Sequence, residues 1–387
     1  MVVTASYWAF TLTDGALRML VVLFFHELGY SPIEVASLFL LYEFFGVITN
    51  LFGGWIAARI GLNVTMHIGL SLQILALGML CVDPSMLSVL YVMVAQALSG
   101  IAKDLNKMSA KSSIKTLIPR QESNKLYSWV AKLTGSKNAL KGIGFFLGGA
   151  LLAAYGFRGT LIILLVLLVV VLAASIAMLN SDIGVTNYKP KFADVFSKSA
   201  AINYLSAARF FLFSSRDVWF VVALPVFLQS EQQWSYGQVG ALMAAWVIMY
   251  GAVQVLAPSI TGSDVNIRKA LFWSVLLLPI PLLIALGISQ TLETSTILVI
   301  GLLIFGAVFA INSSVHSYLI VAWAREEGVS LDVGFYYMAN AGGRLAGTVL
   351  SGAIYQVYGF SACLVVSSAL ILATSLTTQK LVHKAPN

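Results

Sequence analysis

Lys103, Lys107, Lys111 and Lys115 recur every four residues at the end of an apolar run that begins near Leu87, in a chain where only 10% of residues are charged. On a helix this spacing lays four ammonium groups along one stripe, where like charges at i, i+4 repel. Such a stripe persists only if something rewards it: an anion drawn along it, or anchoring at a membrane surface. Asp104, beside Lys103 and three residues before Lys107, lowers the local repulsion. Lys111 and Lys115 read as surface anchors, whereas Lys103 and Lys107 lie deep enough in the apolar run to line a vestibule.

Other charges share that setting. Arg18, Lys137, Lys141, Arg209, Arg216 and Arg344 also fall within apolar stretches, and with Lys103 they make seven cations against four acids, Asp14, Glu43, Asp104 and Asp217. Charges inside a membrane are costly and face a cavity or a partner. Groups that only hold helices together should balance, whereas an anion site is left cationic without its ligand, so the excess favours an anionic substrate.

The spacing of these residues suggests roles. Asp14 and Arg18 are one helical turn apart, which reads either as a neutralised ion pair or as a coupling site, because anion and proton arrival both change who pairs with the arginine. Arg209 and Arg216, seven apart, share a helix face on which they could grip a phosphate-like group, while Asp217 points roughly 100° away. The competing expectation is that Arg209 snorkels to the cytoplasmic boundary. Lys137 and Lys141 share a face, and Lys141 has an equivalent in Arg344, described below. Asp14, Glu43, Asp104 and Asp217 are the carboxylates available to carry a coupling proton.

The elements that position these groups are membrane spans. A chain of 387 residues with 59% hydrophobic residues and a mean hydropathy of +0.88 is far more apolar than a soluble domain, at about 45–50%. Runs of about 20 apolar residues predict spans near 6–27, 33–57, 65–82, 86–106, 135–155 and 158–179, then near 202–228, 237–257, 268–288, 294–317, 333–357 and 360–379. The first of these runs reads as the targeting element, with no cleavable leader. Of 23 Lys plus Arg, 15 fall in one set of loops and ends and only Arg158 in the other. By the positive-inside rule both termini are expected in the cytoplasm.

The longest connection, 181–201, reads as a linker between bundles at 1–180 and 202–387. Lys141, Gly144, Gly149, Ala150, Tyr155, Gly156 and Phe157 reappear 203 positions later as Arg344, Gly347, Gly352, Ala353, Tyr358, Gly359 and Phe360, and Asp14 reappears as Asp217. Two parallel six-span repeats are the internal symmetry of major facilitator transporters. The expected fold is therefore an all-α membrane protein of the major facilitator type, twelve helices in two repeats, with the substrate site between them and Lys141 and Arg344 facing each other across it. Glycine-rich fifth and eleventh spans allow close helix approach. Cys81 and Cys363 form no metal or disulfide pattern, and among the histidines only His316, with Asn312 and Ser313, reads as cavity-lining.

Gly54 to Gly61 resembles the major facilitator loop motif, with Ala58 where that motif carries aspartate, Leu62 and Asn63 where it carries basic residues, and Gln96 where the fourth span usually has arginine. These departures argue against ordinary drug/proton antiport. Four further strings resemble the ArsJ-type organoarsenical efflux permeases: Tyr7-Trp-Ala-Phe-Thr-Leu-Thr-Asp-Gly-Ala-Leu-Arg18, the segment Ser99 to Ser113, Gly135 to Gly142 and Arg216-Asp-Val-Trp-Phe220. The resemblance covers both halves and contains most of the in-membrane charges. It implies export of 1-arseno-3-phosphoglycerate from the inner membrane, with glyceraldehyde-3-phosphate dehydrogenase as the functional partner that makes the ester. A monomer without cofactor or nucleic-acid partner is expected. The rivals are an exporter or exchanger of another organophosphate, and a membrane-embedded enzyme acting on a lipid or headgroup. Against the enzyme, the sequence offers no nucleophile with a base, no metal-ligand spacing and no acidic pair for a divalent cation.

Overall fold

A computed structural model describes residues 2–30, 37–117, 123–179, 199–234, 236–262, 264–290, 294–325 and 329–382. The linker assigned to 181–201 lies almost wholly outside these residues. The helices are α1 (Val2–Glu27), α2 (Leu40–Ile60), α3 (Leu62–Leu80), α4 (Val89–Leu117), α5 (Ser123–Met178), α6 (Ala200–Phe220), α7 (Ala223–Ser230), α8 (Tyr236–Thr261), α9 (Ile267–Leu277), α10 (Pro279–Gln290), α11 (Thr294–Trp323) and α12 (Val329–Val382). Eight stretches are long and apolar enough to cross a membrane. Two of them, Lys125–Met178 and Val329–Val382, run 54 residues each and hold two passages apiece. The charged helix α4 and the pair α6–α7 supply the remaining passages, which brings the expected twelve.

Both long helices bend at glycine. Gly156 has φ 67° and ψ −179°, and Gly359 has φ 76° and ψ −176°, a region open essentially to glycine alone. These two residues stand 203 positions apart in the sequence repeat, so the repeat is written into the backbone as well as the side chains.

The chain divides into two compact units: Met1–Arg120 with Ser136–Phe196 and Ala324–Met338, and Gln121–Gly135 with Ser197–Trp323 and Ala339–Asn387. The start of α5 thus packs with the second unit and the start of α12 with the first. The crossover falls after Gly135 and after Met338, again 203 apart.

Each unit has its own aromatic core. In the first, Phe24 stacks on Phe157 at 4.0 Å; in the second, Trp219 meets Phe305 edge-on at 5.0 Å. Glycine brings the charged helices close. A Cβ on Gly144 would lie 2.5 Å from the Leu12 carbonyl, and one on Gly148 would lie 2.4 Å from the Ala16 carbonyl, so α5 lies directly on α1. In the second unit Gly343 and Gly347 bring α12 onto Phe210 and Ser214 of α6 in the same way. Within lipid, where burial of apolar surface gives helices little reason to associate, this close packing is a main source of adhesion.

Candidate functional site

In the first unit the in-membrane charges of α1, α2 and α4 gather around tyrosines. Asp14, 5% exposed, accepts a hydrogen bond of 2.8 Å from the hydroxyl of Tyr42. Arg18 reaches not to Asp14 but to Glu43 on α2, Nη2 to Oε1 at 3.1 Å. Its guanidinium lies over the rings of Phe39 and Tyr42 at 4.9 and 4.7 Å. The one-turn pair expected from spacing is therefore replaced by two tertiary pairs, because α2 offers a better-placed acid and a buried phenol. Arg18 and Glu43 are each about a quarter exposed.

The lysine stripe of α4 is organised by Asp104. Lys107 Nζ lies 2.5 Å from Asp104 Oδ1 and Lys103 Nζ lies 3.7 Å from Oδ2, while Lys103 also sits 3.9 Å over the Tyr42 ring. Space for this cluster comes from Gly46 of α2, where a Cβ would meet Asp104 Oδ2 at 2.9 Å. Lys111 donates to the hydroxyl of Tyr337, and Lys107 and Lys111 lie 4.8 and 4.6 Å from that ring. Lys111 is 4% exposed, so it is not an anchor at the membrane surface but a buried partner of the first turns of α12. The side chain of Lys115 lies outside the described residues. Lys137 and Lys141 are partly exposed on α5. The carbonyl of Lys141 faces Gly15, beside Asp14, and its ammonium lies 5.7 Å from the Phe145 ring.

In the second unit one carboxylate holds two guanidiniums. Asp217, fully buried, receives Arg216 at 2.5 Å from Nη2 and 2.6 Å from Nε, both to Oδ1. Arg344 of α12 approaches from the other side, Nε to Oδ2 at 3.3 Å. Adjacent residues on a helix point about 100° apart, but arginine is long enough to fold back onto its neighbour. The cluster carries net positive charge, with Arg344 about one-third exposed and Arg216 less so.

Arg209 is committed elsewhere. It is 3% exposed and does not snorkel: Nε donates to Asn340 Oδ1 at 2.8 Å and Nη1 to the carbonyl and hydroxyl of Ser313 at 3.1 and 3.0 Å. Tyr250 donates to the same Ser313 hydroxyl, and Gln254 donates to Tyr250. Arg209 therefore ties α6 to α11 and α12 within its unit, and a fork with Arg216 would require it to leave those acceptors. Asn312 and His316 are fully buried on α11.

Tyr42, Tyr337 and Asn340 complete these clusters without having been singled out in the sequence. Their one sequence signal is a polar tip within an apolar run, which buried tyrosine satisfies by finding a partner; that partner comes from a distant span.

The profile of the Major Facilitator Superfamily matches residues 3–223 and, again, 205–384. The chain belongs to this superfamily and is a multi-pass membrane transporter. No curated protein sequence matches the chain. Among solved structures, the human organic anion transporter MFSD10 superposes with a TM-score of 0.78 at 16% identity, covering 98% of this chain and 99% of that one. A bacterial homologue of the iron transporter ferroportin, outward-facing, gives 0.77 at 12% identity over 99% and 100%. The E. coli fucose:proton symporter gives 0.76 at 9% over 98% and 97%. At these identities the likeness is one of fold.

Proposed function

We propose that this transporter exports an anionic organoarsenical, 1-arseno-3-phosphoglycerate, by alternating access in exchange for protons, and so confers arsenate resistance. It does so from the inner membrane with both termini in the cytoplasm. The observation that carries the reading is the buried Asp217 with Arg216 and Arg344 on its two oxygens. The cluster sets two guanidiniums against one carboxylate, and its more exposed member, Arg344, is accessible to an anion. A substrate oxyanion supplies the missing charge, and guanidinium binds such groups through paired, charge-assisted hydrogen bonds.

The first unit adds a second cationic cluster in Lys103 and Lys107 around Asp104. Each cluster by itself suits a tetrahedral oxyanion such as the phosphate or the arsenate of that ester. The strings that resemble organoarsenical permeases contain Asp14, Arg18, Lys103, Asp104, Lys107, Lys137, Lys141, Arg216 and Asp217, so the resemblance and the charge clusters rest on the same residues. Another organophosphate would meet the same charges, and the substrate experiment separates the two.

Inverted vesicles containing the protein should accumulate the arsenylated product of glyceraldehyde-3-phosphate dehydrogenase when a proton gradient is imposed. In cells, arsenate resistance should require that dehydrogenase. Equal resistance without it would point to export of inorganic arsenic, and uptake of phosphate esters alone would favour the organophosphate reading.

A further inference from the structure

Tyr7 of α1 is 1% exposed, and its hydroxyl is without a hydrogen-bond partner. It stands seven residues before Asp14 and so on the same helix face. Tyr337, Asp104 and Asp14 act on that hydroxyl electrostatically, and the first two are the residues around which Lys103, Lys107 and Lys111 are arranged. A buried hydroxyl without a partner costs roughly 1–3 kcal/mol, and such exceptions in a native fold call for a reason.

The repeat itself does not call for the hydroxyl. The residue 203 positions later is Phe210, which occupies the equivalent place on α6 and packs its backbone against Gly343. At this repeat position the second unit carries a ring that has no hydroxyl.

Building on the anion-export reading, we propose that Tyr7 is the neutral donor of the first unit's anion subsite: its hydroxyl, together with Lys103 and Lys107, holds one tetrahedral oxyanion of the substrate, phosphate or arsenate. A tetrahedral oxyanion presents more lone pairs than the two ammonium groups can fill while they also serve Asp104. A phenol O–H adds a short, charge-assisted bond without adding positive charge to a cluster that already carries it. On this proposal the hydroxyl finds its partner when the substrate arrives.

The test is Tyr7→Phe in the purified, full-length transporter, with 3-phosphoglycerate as the probe in equilibrium binding and thermal unfolding followed on the same samples. The expected result is affinity weaker by about tenfold, with a melting temperature unchanged or slightly raised, because the lost hydroxyl had no partner. Unchanged affinity would overturn the role of Tyr7 while leaving the anion reading intact. A melting temperature that falls together with affinity would also overturn it, since the hydroxyl would then be structural. If the unaltered protein binds neither 3-phosphoglycerate nor the arsenylated ester, the anion reading itself fails, and the proposal with it.

Discussion

Arg344 Nε lies 3.3 Å from Asp217 Oδ2, whereas their repeat mates, Lys141 and Asp14, are bonded differently: Asp14 takes the hydroxyl of Tyr42. The two repeats place a carboxylate at the same point of their first helix and then give it different company. In the second unit it is saturated with cations; in the first its hydrogen bond comes from a neutral phenol. On the transport cycle proposed above, this asymmetry would divide the work, with the anion bound at Arg216 and Arg344 and the proton exchanged at Asp14.

Neutralising Arg344 should weaken substrate binding without unfolding the protein, because Arg216 still compensates Asp217. Each lost charge-assisted contact costs roughly 1.5–3 kcal/mol, about tenfold to a hundredfold in affinity. Arg344→Gln should therefore raise the Kd for the phosphate or arsenate ester by that factor, and Lys141→Gln, measured in parallel, should do the same. Unchanged transport by both variants would remove them from the site.

Asp217→Asn should behave differently, because it leaves Arg216 and Arg344 close together without their shared counter-charge. Breaking a buried pair from one side costs about 3–5 kcal/mol. The expected outcome is a clear drop in melting temperature, partly restored by saturating phosphate ester, which supplies the missing negative charge. A variant as stable as the parent, with or without ligand, would contradict the charge balance described here.

Arg209→Lys should destabilise the second unit while leaving the charge unchanged. A lysine cannot reach Asn340 and Ser313 together as the guanidinium fork does, and hydrogen bonds to charged groups carry roughly 1.5–3 kcal/mol each. Thermal unfolding should fall by several degrees, with Asn340→Ala showing a smaller decrease. Equal stability of Arg209→Lys with lost substrate binding would instead return Arg209 to the anion site.

The fold was legible because membrane helices leave two strong marks: apolar runs of the right length, and here a repeat at a fixed offset of 203. That offset reaches details hydropathy does not, including the bends at Gly156 and Gly359. Helix ends were less legible. The fourth span was expected to stop near residue 106, yet α4 continues to Leu117, because Lys107 and Lys111 find Asp104 and Tyr337 rather than water. The in-membrane charges could be named from sequence, but their partners could not. Asp14 and Arg18 look like a pair along one helix, and only the approach of α2 shows that Tyr42 and Glu43 take their places. Arg209 looked close enough to an end to snorkel, and its acceptors on α11 and α12 lie more than a hundred residues away. Neutral partners such as Tyr42, Tyr337 and Asn340 carry no charge to draw attention in an apolar run.

Gly156→Ala and Gly359→Ala test the repeated bend. Neither position would crowd a new methyl group, since nothing lies within 4 Å of a Cβ at either, so the effect isolates backbone strain. Forcing alanine into this conformation costs about 1–3 kcal/mol, and each variant should unfold at a lower temperature with its substrate affinity intact. Affinity that falls while stability holds would mean that the bends position the binding residues rather than the fold.

Proton coupling is tested by separating exchange from net transport. Asp14→Asn keeps an acceptor for the Tyr42 hydroxyl, so folding should be preserved, but the position can no longer gain or lose a proton. Export driven by a pH gradient should fall to background while counterflow of labelled substrate, which needs no net proton movement, continues. Tyr42→Phe leaves the carboxylate without its 2.8 Å donor. Gradient-driven export should therefore be altered more by Tyr42→Phe than by Arg18→Gln, which removes a partner of Glu43. Gradient-driven export that survives Asp14→Asn would exclude this carboxylate as the proton carrier, and loss of counterflow in the same variant would show that Asp14 serves binding or folding instead.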